Sequence, residues 1–267
     1  MEEIYNNLFT KFSDPLTREW PLMSSPFPLM LIIFGYLYFI LYGGPRYMKD
    51  RPPYKLKQFI LVYNIVQILA NFWLVKEPIA FGWFSRYNVI CLELPPEDSS
   101  NTLVIFTYLW WQFLLKIFDL VETCMFVLRK KQNQVSNLHV HHHVSNLLLS
   151  WIHLKYLPNE RIIFIIMLNC AVHVIMYTYY FISAWVPKYQ IIYFLKLFTT
   201  RIQIIQFLVM IIYLLQILNP ACKIRSTSTT TYIFLSLLII NLFIYLYLFY
   251  DFYKKNYTTT TSKEKKN

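Results

Sequence analysis

Seven apolar runs dominate the chain, at 27–43, 58–76, 103–128, 138–154, 160–183, 190–218 and 229–252. About 20 apolar residues carry a helix across the hydrocarbon core of a bilayer. In lipid the backbone must satisfy its own polar groups, which leaves helices or a closed barrel. No regular turn signals cut these runs into strands, so all seven are expected to be helices. The run 138–154 is the weakest, because it is short and carries histidines. At 57% hydrophobic and 15% charged over 267 residues, the composition excludes a soluble domain of this size. The first run begins only near Phe27, behind the acidic start Met1-Glu2-Glu3. With no cleavable signal pattern there, the first span is expected to be retained.

Basic residues set the orientation. Seven spans put the two ends of the chain on opposite sides of the membrane. One side then receives 14 Lys and Arg and the other 8. The richer side is expected to be cytosolic, giving a lumenal N-terminus and a cytosolic C-terminus. The net charge of +11 follows from this topology and calls for no nucleic acid; anionic lipid or a phosphorylated substrate remain as partners. Cys91 and Cys222 fall in loops on the oxidising side and are expected to form a disulfide, while Cys124 and Cys170 fall inside spans. The end of the sequence, Lys263-Glu264-Lys265-Lys266-Asn267, follows a Thr-rich stretch. Lys263 and Lys265 there have the spacing of a dilysine-type retrieval signal read on the cytosolic side. The organisation expected is one membrane domain over 1–257 and a cytosolic tail over 258–267.

Ionisable groups inside a bilayer are costly and mark function. His139-Val140-His141-His142-His143 places four of the six histidines in five residues. In a helix His139, His142 and His143 share one face. Lys116, Asp119 and Glu122, spaced by three, line one side of the third span beside Thr123. Their charges cancel in part, and the remaining carboxylate needs a proton or another partner such as an imidazolium. Asn169, His173, Met176, Tyr177 and Tyr180 form a stripe on the fifth span. Thr200, Gln203 and Gln206 form another on the sixth. Any one stripe could simply hold helices together. Four spans with inward polar stripes imply one polar chamber within the bundle. His153, near the lumenal end of its span, is read as structural.

Taken in order, these residues make the chain similar to the ELO family, the fatty acid elongases of the endoplasmic reticulum. The resemblance runs from about Gly44 to Tyr257. It opens with the segment Gly44-Pro45-Arg46-Tyr47-Met48 through Arg51-Pro52-Pro53 to Tyr63-Asn64. Lys116-Ile-Phe-Asp119-Leu-Val-Glu122-Thr123, followed by Phe126-Val-Leu-Arg129-Lys130-Lys131, resembles the family's K-x-x-E-x-x-D-T box and basic cap. His139-Val-His-His142-His143 resembles its H-x-x-H-H box. Asn169-Cys-Ala-Val-His173-Val-Ile-Met176-Tyr177-Thr-Tyr179-Tyr180 and Thr200-Arg-Ile-Gln203-Ile-Ile-Gln206 resemble the two boxes that follow. Two features depart from the pattern. The acidic pair is exchanged, with Asp119 where Glu is usual and Glu122 where Asp is usual, and His141 stands where an aromatic residue is common.

The resemblance implies an all-α membrane protein whose seven helices enclose a polar chamber and an acyl tunnel. It implies condensation of a long-chain acyl-CoA with malonyl-CoA to a 3-oxoacyl-CoA two carbons longer, with CO2 and free CoA as by-products. His142 would accept the acyl group and His173 would be its catalytic partner. His139 and His143 would orient or exchange protons. Lys116, Asp119, Glu122, Asn169, Tyr177 and Gln203 would surround the substrate, and Arg129, Lys130, Lys131 and Lys188 would hold CoA phosphates. The chemistry suits these groups, because a neutral imidazole, ordinarily with a pKa of about 6.5, can attack a thioester. Neither cofactor nor metal is implied. Partners would be membrane lipid and the reductases and dehydratase of the elongation cycle, and a homodimer is allowed. Two other classes share some of these features. A seven-span proton-coupled transporter or receptor would also hold buried Lys, Asp, Glu and His. A membrane di-iron desaturase or hydroxylase also uses H-x-x-H-H boxes, but needs more histidines than six.

Overall fold

The computed structural model describes residues 13–86, 102–157, 161–186, 189–216 and 229–258. Among them the regular structure is helical throughout. In chain order the helices are α1 (Phe27–Tyr38), α2 (Gly44–Met48), α3 (Lys57–Ala80), α4 (Trp83–Arg86), α5 (Thr102–Leu128), α6 (Asn137–Tyr156), α7 (Arg161–Trp185), α8 (Tyr189–Leu215) and α9 (Thr229–Tyr253). A π-helical turn, Phe39–Gly43, joins α1 to α2, and another, Lys254–Thr258, follows α9. The protein is therefore an all-α, multi-pass membrane protein: among the described residues six helical segments are long and apolar enough to cross a bilayer. They correspond to six of the seven expected runs. The run 138–154 forms α6, whose 20 residues reach ~30 Å but which is not among the six segments of sufficient apolarity.

The chain divides into two compact units. The first holds α1, α2, α5 and α6, and the second holds α3, α4, α7, α8 and α9.

In the first unit, α2 and the π-helical turn pack on α5, and α5 packs on α6. Gly44 permits the first of these contacts, since a Cβ there would lie 2.6 Å from Val127 Cγ1 and 2.6 Å from the Phe39 carbonyl oxygen. α6 is tied down at both ends. At its start the Ser136 side chain caps the first turn by accepting from the His139 backbone N–H at 3.2 Å. At its end residues 13–23 take up groups that a helix terminus leaves unmet. Asp14 N donates to the Lys155 carbonyl at 2.9 Å, Thr17 Oγ1 to that of Leu154 at 3.4 Å, and Trp151 Nε1 to that of Leu22 at 2.9 Å. Lys155 was expected in a lumenal loop; it is fully buried, with Nζ 2.6 Å from the Met23 carbonyl oxygen and over the Trp151 ring. His153 is buried in the same turn, as a structural histidine would be.

In the second unit α3 and α7 form the most extensive helix pair, with α8 packed on both α7 and α9. Trp83, fully buried, stacks on Phe164, and Phe164 meets Tyr213 at a ring separation of 4.5 Å. Tyr213 closes the cluster by donating to the Arg161 carbonyl at 2.8 Å. Arg161 is itself buried. Cys91, Cys222, Lys188, Lys263 and Lys265 lie outside the described residues, and with them the expected disulfide and retrieval signal.

Candidate active site

The first unit gathers the histidine box against the acidic stripe. α5 and α6 pack side by side. The three-residue spacing on α5 and the i, i+3, i+4 spacing on α6 turn both polar faces towards their shared interface. Lys116 Nζ pairs with Asp119 Oδ2 at 3.2 Å, and both side chains are almost wholly buried. That pairing leaves Glu122 as the second carboxylate. It lies with His139 and His143, one ligand atom of each falling within 4.8 Å of the others. The excess carboxylate expected from the sequence thus has imidazoles as neighbours. As a donor set, one carboxylate oxygen and two imidazole nitrogens could also hold a divalent transition metal.

A hydrogen-bond chain fixes the rings. Tyr36 O–H donates to Thr123 Oγ1 at 2.9 Å, and Thr123 Oγ1 meets His139 Nε2 at 2.9 Å. The His139 ring lies 4.3 Å from that of His143 and 5.4 Å from that of Phe126. The His143 ring is 5.5 Å from that of His142 and perpendicular to it. Asn146 Nδ2 stands 3.0 Å from His142 Nε2. Since an amide N–H only donates, this contact puts the lone pair of His142 on Nε2. His141 engages differently: its backbone carbonyl accepts from Ser145 Oγ. The basic cap also belongs to this unit. Arg129 is half-buried, Lys130 and Lys131 are exposed, and Lys130 takes a left-handed conformation with Nζ 3.2 Å from the Lys49 carbonyl oxygen.

The second unit holds the other expected group. His173 and Tyr177 are buried one turn apart on α7, with ring centroids 5.8 Å apart, and Tyr180 continues the line at 5.9 Å. Asn169, half-buried, lies one turn before His173. Gln203 Nε2 donates to Met176 Sδ at 3.4 Å, which joins the α7 and α8 boxes. Thr200 Oγ1 meets Tyr257 O–H at 3.3 Å.

The structure adds polar residues on α3 to which the sequence reading gave no role. Tyr63 sits 6.1 Å from Tyr177, ring to ring. Gln67 Nε2 donates to Tyr63 O–H at 2.8 Å, and Asn71 Nδ2 donates to the Gln67 carbonyl and to Gln67 Oε1 at 2.8 and 3.1 Å. Asn64 is buried beside them. Their spacing of three and four within the apolar run 58–76 is the same signal that marked α5, and would have found them.

Comparison with known proteins gives the family. Residues 21–266 match the profile of the ELO: GNS1/SUR4 family. The chain belongs to the ELO family. Its relatives include the Aedes aegypti very long chain fatty acid elongase AAEL008004, 39% identical over 67% of this chain and 51% of that protein. Human very long chain fatty acid elongase 4 is 37% identical over 66% of this chain and 57% of that protein. Mouse very long chain fatty acid elongase 1 is 37% identical over 70% of this chain and 67% of that protein. This ELO chain thus spans little more than half the length of the first two relatives.

Proposed function

We propose that this ELO protein catalyses the condensing step of fatty acid elongation. A long-chain acyl-CoA and malonyl-CoA would give a 3-oxoacyl-CoA two carbons longer, CO2 and CoA. The observation that carries this reading is the partly buried histidine cluster of α6 packed on the acidic stripe of α5, in a chain related to very long chain fatty acid elongases.

In the proposed reaction His142 Nε2 attacks the thioester carbonyl carbon. The carbon–sulfur bond breaks, and CoA leaves as a thiolate that takes up a proton. Asn146, now on Nε2, yields that position to the acyl carbon. Loss of CO2 from malonyl-CoA makes an enolate, so no strong base is needed. Its carbon attacks the acyl-imidazole, a carbon–carbon bond forms, and the carbon–nitrogen bond breaks to restore His142. His139 and His143, held through Thr123 and Glu122, orient the cluster and exchange protons. His173 is the proposed partner in the same reaction, on the strength of the family resemblance. Lys116, Asp119, Asn169, Tyr177 and Gln203 are proposed to bind substrate, and Arg129, Lys130 and Lys131 the CoA phosphates. An acyl chain buried in an apolar tunnel gains roughly 0.8 kcal/mol per methylene, enough to sense chain length.

The proposed location is the endoplasmic reticulum membrane, with the N-terminus lumenal and the C-terminus cytosolic. Reductases and a dehydratase acting on the 3-oxo product are the proposed partners. Membranes containing the chain, given acyl-CoA and labelled malonyl-CoA, test the reading: label in a product two carbons longer is expected, and its absence refutes it. The Glu122, His139 and His143 donor set favours a metal-dependent reaction as a second reading. Elongation that persists in the presence of a strong chelator excludes it.

A further inference from the structure

The buried face of α3 is unusual for a membrane-spanning helix. Its buried residues are Tyr63, Asn64, Gln67, Asn71, Leu74 and Pro78. At about 100° per residue they fall within an arc of about 100° on one side of the helix, and four of the six are polar. This is the helix most extensively packed on α7, which carries His173 and Tyr177. Gln67 Nε2 and Asn71 Nδ2 both donate along the stripe, to Tyr63 and to Gln67, while Asn71 Oδ1, an acceptor, is itself unmet. Asn64 donates to neither neighbour. It is only 2% exposed, and its Nδ2 has no hydrogen-bond partner among the described residues. A buried donor left unmet destabilises a fold, so its retention points to a ligand. An amide N–H requires an acceptor. Asn64 adjoins Tyr63, whose ring packs against Tyr177, itself one turn from His173. Asn241 Nδ2 is likewise unmet but lies on α9, which packs chiefly on α8.

Resting on the elongase reading above, we propose that Asn64 Nδ2 is a substrate-binding donor, which hydrogen-bonds a thioester carbonyl oxygen as negative charge develops on it. Gln67 and Asn71 are positioning residues that hold Tyr63 beside Tyr177. A preorganised donor in a site closed to water stabilises such an oxygen far more than water does.

The test compares Asn64→Leu with wild type in the full chain, using stearoyl-CoA and labelled malonyl-CoA. Leucine has nearly the same volume and removes the unmet donor. The expected result is an unchanged or raised thermal midpoint together with a kcat lowered about 100-fold, the scale of losing one oxyanion donor, and little change in KM. Asn71→Leu serves as the contrast and should lower the midpoint, because it breaks two hydrogen bonds. CoA release without malonyl-CoA identifies the oxygen. Loss of that release assigns the acyl thioester; normal release with impaired condensation assigns the malonyl-derived enolate. Wild-type kcat in Asn64→Leu overturns the proposal, as does a lowered midpoint with unchanged kcat per folded molecule. Should Asn64→Leu fail to accumulate, Asn64→Ala is read in the same way, and failure of both marks Asn64 as structural and overturns it. A wild-type protein without malonyl-dependent elongation refutes the elongase reading itself, whereas an active wild type with an indifferent Asn64→Leu refutes this proposal alone.

Discussion

A single unit of charge decides the arrangement of the histidine cluster. Lys116 can neutralise one carboxylate, and the 3.2 Å contact gives it to Asp119. Glu122 is thereby left to the imidazoles of His139 and His143. The two acids should therefore respond differently to substitution. Asp119→Asn removes the carboxylate that pairs with the buried Lys116 ammonium; breaking a buried ion pair costs about 3–5 kcal/mol, and a lowered thermal midpoint of the purified protein is the expected readout. Glu122→Asp keeps the charge and shortens the reach by one methylene. It should lower kcat while leaving the midpoint near that of wild type; a larger loss of stability than in Asp119→Asn would contradict the assignment. The unequal roles were not legible in the sequence, where the acids differ only in order. Their three-residue spacing showed a shared face, but the partner of each depends on how α5 packs on α6.

At the scale of helices, one local contact starts α6 and another seats α2 on α5. Ser136 caps α6 one turn before the histidine box, and its replacement by Ala should cost about 0.5–2 kcal/mol, read as a lowered thermal midpoint. The other contact is the approach of α2 to α5 at Gly44. In Gly44→Ala the new methyl would meet Val127 Cγ1 and a backbone oxygen at 2.6 Å. Overpacking of this kind costs about 1–3 kcal/mol; a variant as stable as wild type would show that α2 and α5 do not meet so closely. Apolar run length located all the long helices, because lipid exposure imposes that length. It did not reveal the end of α6. Lys155 follows the apolar run and reads as a loop residue, yet it is buried through contacts with residues more than a hundred positions away. On α3 the family resemblance reached Tyr63-Asn64, and the spacing of three and four extends their stripe to Gln67 and Asn71.

For the whole molecule, composition called for a membrane protein, the length of the apolar runs and their lack of turn signals made it all-α, and family membership followed from the order of several boxes. Whether α6 crosses the membrane decides the topology. Six crossings would return the two ends of the chain to one side, whereas seven separate them. The proposed lumenal N-terminus and cytosolic C-terminus require α6 to cross, carrying its polar face inward. Selective permeabilisation of the plasma membrane should expose a tag at the C-terminus but not one at the N-terminus, and Asn256, in the glycosylation acceptor sequence Asn256-Tyr257-Thr258, should remain unglycosylated. Both tags exposed together would leave α6 uncrossed. The central claim is tested most directly by incubating purified protein with labelled acyl-CoA in the absence of malonyl-CoA. The expected result is stoichiometric release of CoA with the label retained on a peptide containing His142, then discharged when malonyl-CoA is added; His142→Ala should show neither. Normal CoA release by His142→Ala, or no release by wild type until malonyl-CoA is present, would contradict the acyl-histidine account.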